Sequence, residues 1–333
     1  MEYARLGKAG LKVSRICLGC MSFGTKQDWQ ISVEDSRAVI RAALDGGINF
    51  FDTANGYGHG ESEEILGAAL KDFGVHRAES VIATKVFFPM STAPNDRGLS
   101  RKHILQSTDD SLRRRGTDYI DLLQIHRFDY DTEIEETLEA LNDVVRAGKV
   151  RYIGASTMHA WQFAKMLFTS DRHGWARFVS MQNSYSLAYR EEEREMIPLC
   201  ADQGVGLIPY SPLAAGFLTG SRKAGTVRSK RPLEQSRYNR PADQAVADAV
   251  AKVAEARGVG AAQVALAWLL TRPAMAAPIV GITRLAQLDD ALKSVELRLT
   301  DDEIAAMEAP YETMAPFPHR PPAIAVPTPP SRR

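Results

Sequence analysis

Eight short apolar runs recur along the chain, and helix-forming stretches separate most of them. They are "RICLG", "INFFD", "SVIATKV", "YIDLLQIH", "VRYIGAS", "FVSMQNS", "VGLIPYS" and "APIVGI". Runs of this length, rich in branched and aromatic side chains, read as buried strands. Strand and helix in alternation imply parallel pairing through right-handed crossovers, either in an open doubly wound sheet or in a closed ring. Eight units without a break in composition favour a (β/α)8 TIM barrel, and 333 residues are enough for one such domain, residues 1–310. Ahead of it, "YARLGKAGLKVSR" reads as a β-hairpin turning between Gly7 and Gly10.

The intervening segments carry their own punctuation. Ser32 with Asp35 caps a helix whose Val39, Ile40, Ala43 and Leu44 share one face, ended by Gly46 and Gly47. A helix from about Glu61 turns Ile65, Leu66, Ala69 and Leu70 inward and stops at Gly74. Another starts at Ser100 and stops at Gly116. Thr132 and Glu135 form a capping box before Ile134, Leu138, Leu141 and Val145, and Gly148 closes that helix. Further helical stretches lie near 158–169, 194–204 and 261–271. The polar, basic segment 221–243 has no strand or helix signal and reads as a long loop, and residues 311–333 read as a proline-rich C-terminal tail.

Lys plus Arg balance Asp plus Glu at 41 each, so no net field draws the chain to nucleic acid or to an anionic membrane. The start of the chain lacks the apolar core of a signal peptide, and Arg272 and Pro273 cut short the most apolar later stretch. Three cysteines do not make a disulfide framework and suit a reducing cytoplasm. Cys17 and Cys20 have redox-motif spacing but lack the strand-to-helix context of such a motif, and they read as strand residues. The seven histidines show no paired ligand spacing, so no metal is assigned. The expected partner is a small molecule.

The polar residues at the strand ends narrow the chemistry. Alternate residues of a barrel strand point inward, and function collects at the C-terminal mouth. Counting back by twos, Asp52 follows Phe50 and Ile48, Lys85 follows Ala83 and Val81, and His126 follows Gln124 and Leu122. Three neighbouring strands therefore end on ionisable groups aimed at one space, with Tyr57 on the glycine-rich loop above. Each residue has an ordinary explanation by itself: a turn-former, a lysine reaching solvent, a bonded core histidine, a loop aromatic. Together they are costly to desolvate unless they pair with one another. The set suits proton donation to a carbonyl oxygen. Tyr57 is the acid, Lys85 its activator through the pull of an ammonium on a phenol, Asp52 the anchor of Lys85, and His126 a hydrogen-bond donor to the substrate oxygen. These groups supply a proton and no electrons, so a reduction needs a hydride donor.

In order along the chain, "GGINFFDTANGYGHGESEEILGAAL", the lysine of "VIATKV", "LLQIHR", "YIGAST", "SMQNSYSL", "IPYSPLAAGFLTG" and "PIVGITRLAQLDDAL" resemble the signatures of the aldo-keto reductases from about residue 3 to 310. The resemblance implies the barrel with its hairpin under the floor and NADPH bound across the mouth. It places Asp52, Tyr57, Lys85 and His126 on the catalytic tetrad. It also implies that Ser156 and Gln182, with Asn183 beside them, bind the nicotinamide carboxamide, and that Tyr210 stacks on the ring. Ser211, Leu213 and Gly216 correspond to the segment closing over the pyrophosphate. Thr283, Arg284 and Gln287 fall where the family binds the ribose 2′-phosphate, which argues for NADPH over NADH. In finer detail the chain looks most like bacterial 1-deoxyxylulose-5-phosphate synthase-like reductases, with fungal versiconal hemiacetal acetate reductase a looser relative.

The chain departs from the family pattern at Asp290 and Ala291, where many relatives have Glu-Asn, which weakens the amide contact to adenine. It departs again at Thr157, where many have Asn. "GYGHG" has the wrong spacing and place for a Rossmann fingerprint, and its glycines serve to carry Tyr57 over the pocket. Trp29, Phe87 and Phe88 suggest an apolar wall at the mouth, and Arg127 a partner for a substrate anion or a rim salt bridge. Two other readings remain at this level. One is a regulatory binding protein like the potassium-channel β subunits, against which the lack of an N-terminal extension counts. The other is a Schiff-base lyase using Lys85 as nucleophile.

Overall fold

The computed structural model describes residues 1–220 and 238–316. Strands β1 (Tyr3–Arg5) and β2 (Lys12–Ser14) form the antiparallel hairpin. The next eight strands run parallel in sequence order: β3 (Cys17–Gly19), β4 (Phe50–Asp52), β5 (Val81–Val86), β6 (Ile120–Ile125), β7 (Val150–Ser156), β8 (Phe178–Gln182), β9 (Gly206–Leu207) and β10 (Ile279–Gly281), with β10 pairing back onto β3. Between β9 and β10 the ring is joined by backbone bonds: Leu207 N–H donates to Ala274 O (2.8 Å), Ala276 N–H to Leu207 O (2.9 Å) and Ile279 N–H to Pro209 O (2.9 Å). The eight-stranded barrel expected from the alternation is therefore the observed fold.

Its interior divides by depth. Cys17, Phe50, Val81, Ala83, Leu122, Ile208 and Ile279 pack inside the lower ring, and Leu6 and Val13 of the hairpin complete this cluster from below. The plug is tied on by the Lys8 N–H, which donates to Gly204 O at 2.8 Å. A larger apolar shell lies between the strands and the surrounding helices. With the floor filled by hydrocarbon, the open end at the strand C-termini is where polar side chains gather.

The helices α1 (Val33–Asp45), α2 (Glu61–Asp72), α3 (Arg101–Arg115), α4 (Ile134–Arg146), α5 (Ala160–His173) and α6 (Met196–Gln203) follow β3 to β8 in turn. Ser32 Oγ accepts from Asp35 N–H and starts α1, and Ser100 does the same for α3 through His103 N–H, as their spacing predicts. The capping box expected at Thr132 and Glu135 does not form. Helix α4 begins after Glu133 without a side-chain cap, because the Thr132 hydroxyl donates to the buried Asp129 carboxylate at 2.9 Å.

Of the segment read as a loop over 221–243, residues 221–237 lie outside the described residues, but its end is helical. Helix α7 (Pro241–Arg257) opens with proline at its first position, and Asp243 Oδ2 accepts from Arg240 N–H at 3.0 Å. It precedes α8 (Ala261–Leu270), and α9 (Leu285–Ser294) and α10 (Asp301–Glu308) follow β10. The start of the tail is bonded to the barrel: the Tyr311 hydroxyl and Met314 N–H both donate to Glu191 Oε1, at 2.8 Å each. Residues 317–333 of that tail lie outside the described residues. No single described helix is long and apolar enough to cross a membrane.

Candidate functional site

Parallel register sets the heights of the polar residues. Asp52 pairs with Ala83, so Lys85, two residues further on, rises one inward position above the carboxylate and lies level with Gln124 of β6. His126 follows directly after β6, with its N–H donating to Val86 O at 3.0 Å. Tyr57 opens a short helical turn, Tyr57–Gly60, in which Gly58, His59 and Gly60 all have positive φ. That left-handed run, which glycine adopts at little cost, folds the loop back over the ring. The loop is pinned beneath by Asn55 Nδ2 donating to Ser107 Oγ (2.9 Å) and by the paired hydroxyls of Thr53 and Ser62 (2.8 Å).

Lys85 is fully buried and all three ammonium hydrogens have partners: Asp52 Oδ1 at 2.5 Å, Thr53 O at 2.9 Å and the Tyr57 hydroxyl at 3.1 Å. Because Tyr57 accepts from the ammonium, its own hydroxyl hydrogen points elsewhere. The Tyr57 and His126 rings meet edge to face with centroids 5.7 Å apart, and Phe88 closes on His126 in the same manner at 4.8 Å. The four residues singled out at the strand ends thus form one contiguous group.

Burial sets the protonation states. The buried phenol of Tyr57 is raised above its ordinary value, because desolvation exceeds the opposing pull of Lys85. The activation expected from the ammonium alone therefore does not lower the resting pKa. Lys85 is raised as well, its desolvation outweighed by Asp52 and Tyr57, so it stays charged. His126 is held well below the usual imidazole range by desolvation and by the charges of Lys85 and Arg127. At neutral pH the group therefore holds a neutral phenol, an ammonium bonded to Asp52 and a neutral imidazole. A charged, threefold-bonded Lys85 is a poor nucleophile, which argues against the Schiff-base reading.

The residues assigned to a cofactor surround this group unevenly. The Ser156 hydroxyl donates to the backbone carbonyl of Gln182 at 2.6 Å, and Thr157 beside it has φ of +45°. Asn183 is buried. Its Nδ2 donates to Glu192 Oε2 at 2.6 Å, and its Oδ1 has no partner. The segment after β9 carries Tyr210, Ser211, Leu213 and Gly216, and within it Ser211, Ala214, Ala215 and Gly216 all have positive φ, three of them non-glycine residues. Such strain concentrates where backbone is shaped around a ligand. Gln287 Oε1 accepts from Thr283 N–H (2.9 Å), the Thr283 hydroxyl (3.1 Å) and Arg284 N–H (3.1 Å), which leaves the exposed Arg284 at the first turn of α9. Asp290 is held by Gln263 Nε2 at 2.8 Å and Ala291 is fully buried, so neither replaces the adenine-binding amide.

At the mouth, Phe87 is half-buried against the outer core and Phe88 is the ring that meets His126. Arg127 lies over Phe88 with its guanidinium 6.0 Å from the ring centroid. Trp29 is half-buried on the loop after β3. Cys17, Cys20 and Cys200 are buried free thiols, and burial pushes Cys17 and Cys20 well up, against a redox role. No cluster of three metal-ligating side chains occurs among the described residues.

Two contributors lie outside the expected set. Glu63 of α2, fully buried, accepts from Thr84 Oγ1 (2.5 Å), Ser111 Oγ (3.2 Å) and Arg114 Nε (2.7 Å), which ties the Tyr57 loop and its helix to β5 and α3. Gln124 of β6 donates from Nε2 to Asp52 Oδ2 at 2.9 Å. Its sequence signal was an amide within an otherwise apolar inward row.

The site is thus a polar group at the open mouth of a closed parallel barrel with a hairpin floor. The chain belongs to the aldo/keto reductase family, whose model matches residues 15–312. It is 45% identical to versiconal hemiacetal acetate reductase of Aspergillus parasiticus, over 93% of this chain and 97% of that protein. It is also 43% identical to an aldo-keto reductase of Alternaria alternata (95% and 93% covered) and 40% identical to one of Fusarium vanettenii (93% and 91%).

Proposed function

We propose that the protein reduces an aldehyde or ketone to the alcohol with NADPH, and that Tyr57 is the general acid. The observation that carries this is the saturated ammonium of Lys85, which engages the Tyr57 oxygen without taking its proton. His126, neutral and beside Tyr57, donates to the substrate oxygen and directs it toward the phenol. As the oxygen becomes anionic, Tyr57 gives up its proton, and the phenolate left behind is stabilised by Lys85 at hydrogen-bonding distance. Asp52 holds Lys85 in that position. The nicotinamide cofactor supplies the hydride when bound.

The residues present fit such a cofactor. The partnerless, buried Oδ1 of Asn183 suits a carboxamide N–H, alongside Ser156 and Gln182. The strained segment with Ser211, Leu213 and Gly216, following Tyr210, suits a pyrophosphate. Thr283, Arg284 and Gln287 at the α9 N-terminus suit a 2′-phosphate, which favours NADPH over NADH. The apolar rim, with Phe88 against His126, Phe87 behind it and Trp29 on a separate loop, favours an aromatic or otherwise apolar carbonyl compound, and Arg127 beside that rim is read as a partner for an anionic substituent or for a rim carboxylate. The domain spans residues 1–310, and its buried free thiols fit a cytoplasmic setting. The reductase names of the relatives favour an enzyme over a purely regulatory binding protein. A finer likeness to bacterial 1-deoxyxylulose-5-phosphate synthase-like reductases is part of the same proposal, and it names no substrate.

A panel of aldehydes and ketones, nitrobenzaldehyde included, assayed with NADPH and NADH tests this reading. NADPH oxidation that depends on an aromatic aldehyde is the expected result. No turnover of either cofactor across the panel would sink it.

A further inference from the structure

The side chain of Gln124 occupies a slot that the neighbouring strand leaves open. Gly154 of β7 pairs with it across the sheet, and a Cβ there would stand 3.0 Å from Gln124 Cγ and 2.4 Å from Ser180 Oγ. In that slot Gln124 is fully buried and both ends of its amide are used. Nε2 donates to Asp52 Oδ2 at 2.9 Å, and Oε1 accepts from Gln182 Nε2 at 2.9 Å. Gln182 Nε2 also donates to Asp52 Oδ2, at 3.0 Å. The carboxylate is thereby divided: one oxygen takes the ammonium of Lys85, the other takes two amides from β6 and β8.

We propose that Gln124 is a positioning residue for the reaction, which fixes Asp52 toward Lys85 and fixes the amide of Gln182 toward the nicotinamide carboxamide. The second part follows from donor counting. Both Nε2 hydrogens of Gln182 are taken, by Asp52 and by Gln124, so the group Gln182 can offer a cofactor is its Oε1, an acceptor for the carboxamide N–H. Without Gln124 Oε1 that orientation loses a fixed partner. The first part follows from geometry, because a carboxylate with one oxygen underbonded in a dry interior turns toward other donors and carries Lys85 with it. Gln124 thus couples the cofactor end of the site to its proton-donating end. This inference rests on the reductase reading above.

Two variants test it, with cofactor affinity followed by quenching of protein fluorescence on NADPH titration and turnover followed on a carbonyl substrate. Gln124→Met removes both donor and acceptor at similar length. It is expected to lower kcat roughly 10- to 100-fold, with little change in the carbonyl KM, and to raise the NADPH Kd several-fold. Gln124→Glu keeps the acceptor for Gln182 and is expected to keep the NADPH Kd. Its kcat falls near neutral pH and recovers as the pH is lowered, because a protonated carboxyl can donate to Asp52 where an ionised one repels it. The other titratable groups facing this point are Lys85, Tyr57, His126, Cys17 and Cys20; they are common to wild type and variant, so the recovery is read as the difference between the two profiles. A merely structural amide would give no such acid recovery. Wild-type kcat in Gln124→Met, or a wild-type pH profile in Gln124→Glu, overturns the proposal. An inactive wild-type enzyme would instead count against the reductase reading.

Discussion

Lys85 and Asp52 meet at 2.5 Å with both side chains shut off from solvent. Such a pair is stabilised by its partnership more than by its charge. Removing one member strands the other, at a cost of about 3 to 5 kcal/mol, whereas replacing both with apolar groups is often nearly neutral. Lys85→Met is therefore expected to lower unfolding stability by about that amount in urea melts. The double variant Lys85→Met/Asp52→Asn, whose amide oxygen can still accept from Gln124 and Gln182, is expected to recover part of the loss while remaining inactive. Additive losses would mean that the pair is not one electrostatic unit.

Tyr57→Phe removes the hydroxyl and leaves the ring. It is expected to reduce turnover by roughly two to four orders of magnitude, the usual worth of general acid catalysis, with the NADPH Kd nearly unchanged. Steady-state kinetics and a cofactor titration on the same preparation separate the two effects. A variant with full turnover would remove Tyr57 from the role of proton donor.

The pH dependence follows from which forms are needed. With Tyr57 as the proposed acid, reduction requires its phenol with the proton on, and that phenol is raised from an ordinary value of 10.0. Carbonyl reduction should hold level through neutral pH and fall only at strongly alkaline pH. His126 titrates well below its ordinary 6.5, so its neutral form persists across the same range and no inflection near that value is expected. A pH profile of kcat/KM measured in a constant-ionic-strength buffer checks both. A marked bend near neutrality would show that one of these groups titrates closer to its free value than its buried surroundings imply.

The barrel and its polar mouth were legible in the sequence because both depend on local period. Apolar runs with alternate inward positions read directly as strands, and the same counting by twos aimed Asp52, Lys85 and His126 at one shared space, although the register sets them at successive heights. What escaped depends on pairing between distant segments. Gln124 stood in the counted row, yet its bond to Asp52 bridges 72 positions in sequence and could not be read from either neighbourhood. The Thr132 cap failed through a local competitor, since the hydroxyl was drawn to Asp129 three residues before it, a carboxylate also held by Leu99 N–H from another loop at 2.7 Å. Helix α7 was hidden by the polar composition around its start, although Pro241 and Asp243 are a proper opening for a helix. The direction of the Tyr57 shift was misjudged because sequence showed the neighbouring ammonium and not the depth of burial.

The proposed preference for NADPH turns on Arg284. Its backbone N–H is fixed by Gln287 Oε1 at the start of α9, while its side chain is exposed. A guanidinium there adds charge-assisted bonds to a ribose 2′-phosphate and gains nothing from a 2′-hydroxyl of NADH beyond an ordinary hydrogen bond. Arg284→Ala should therefore raise the KM for NADPH about tenfold or more and leave that for NADH within about twofold, the difference expected for losing a charged hydrogen bond. Raised ionic strength should weaken NADPH binding to the wild type more than to the variant, because the lost contact is the one that salt screens. Both cofactors assayed against one aldehyde at two salt concentrations give the four numbers required. Equal changes in the two KM values would move the phosphate contact away from Arg284.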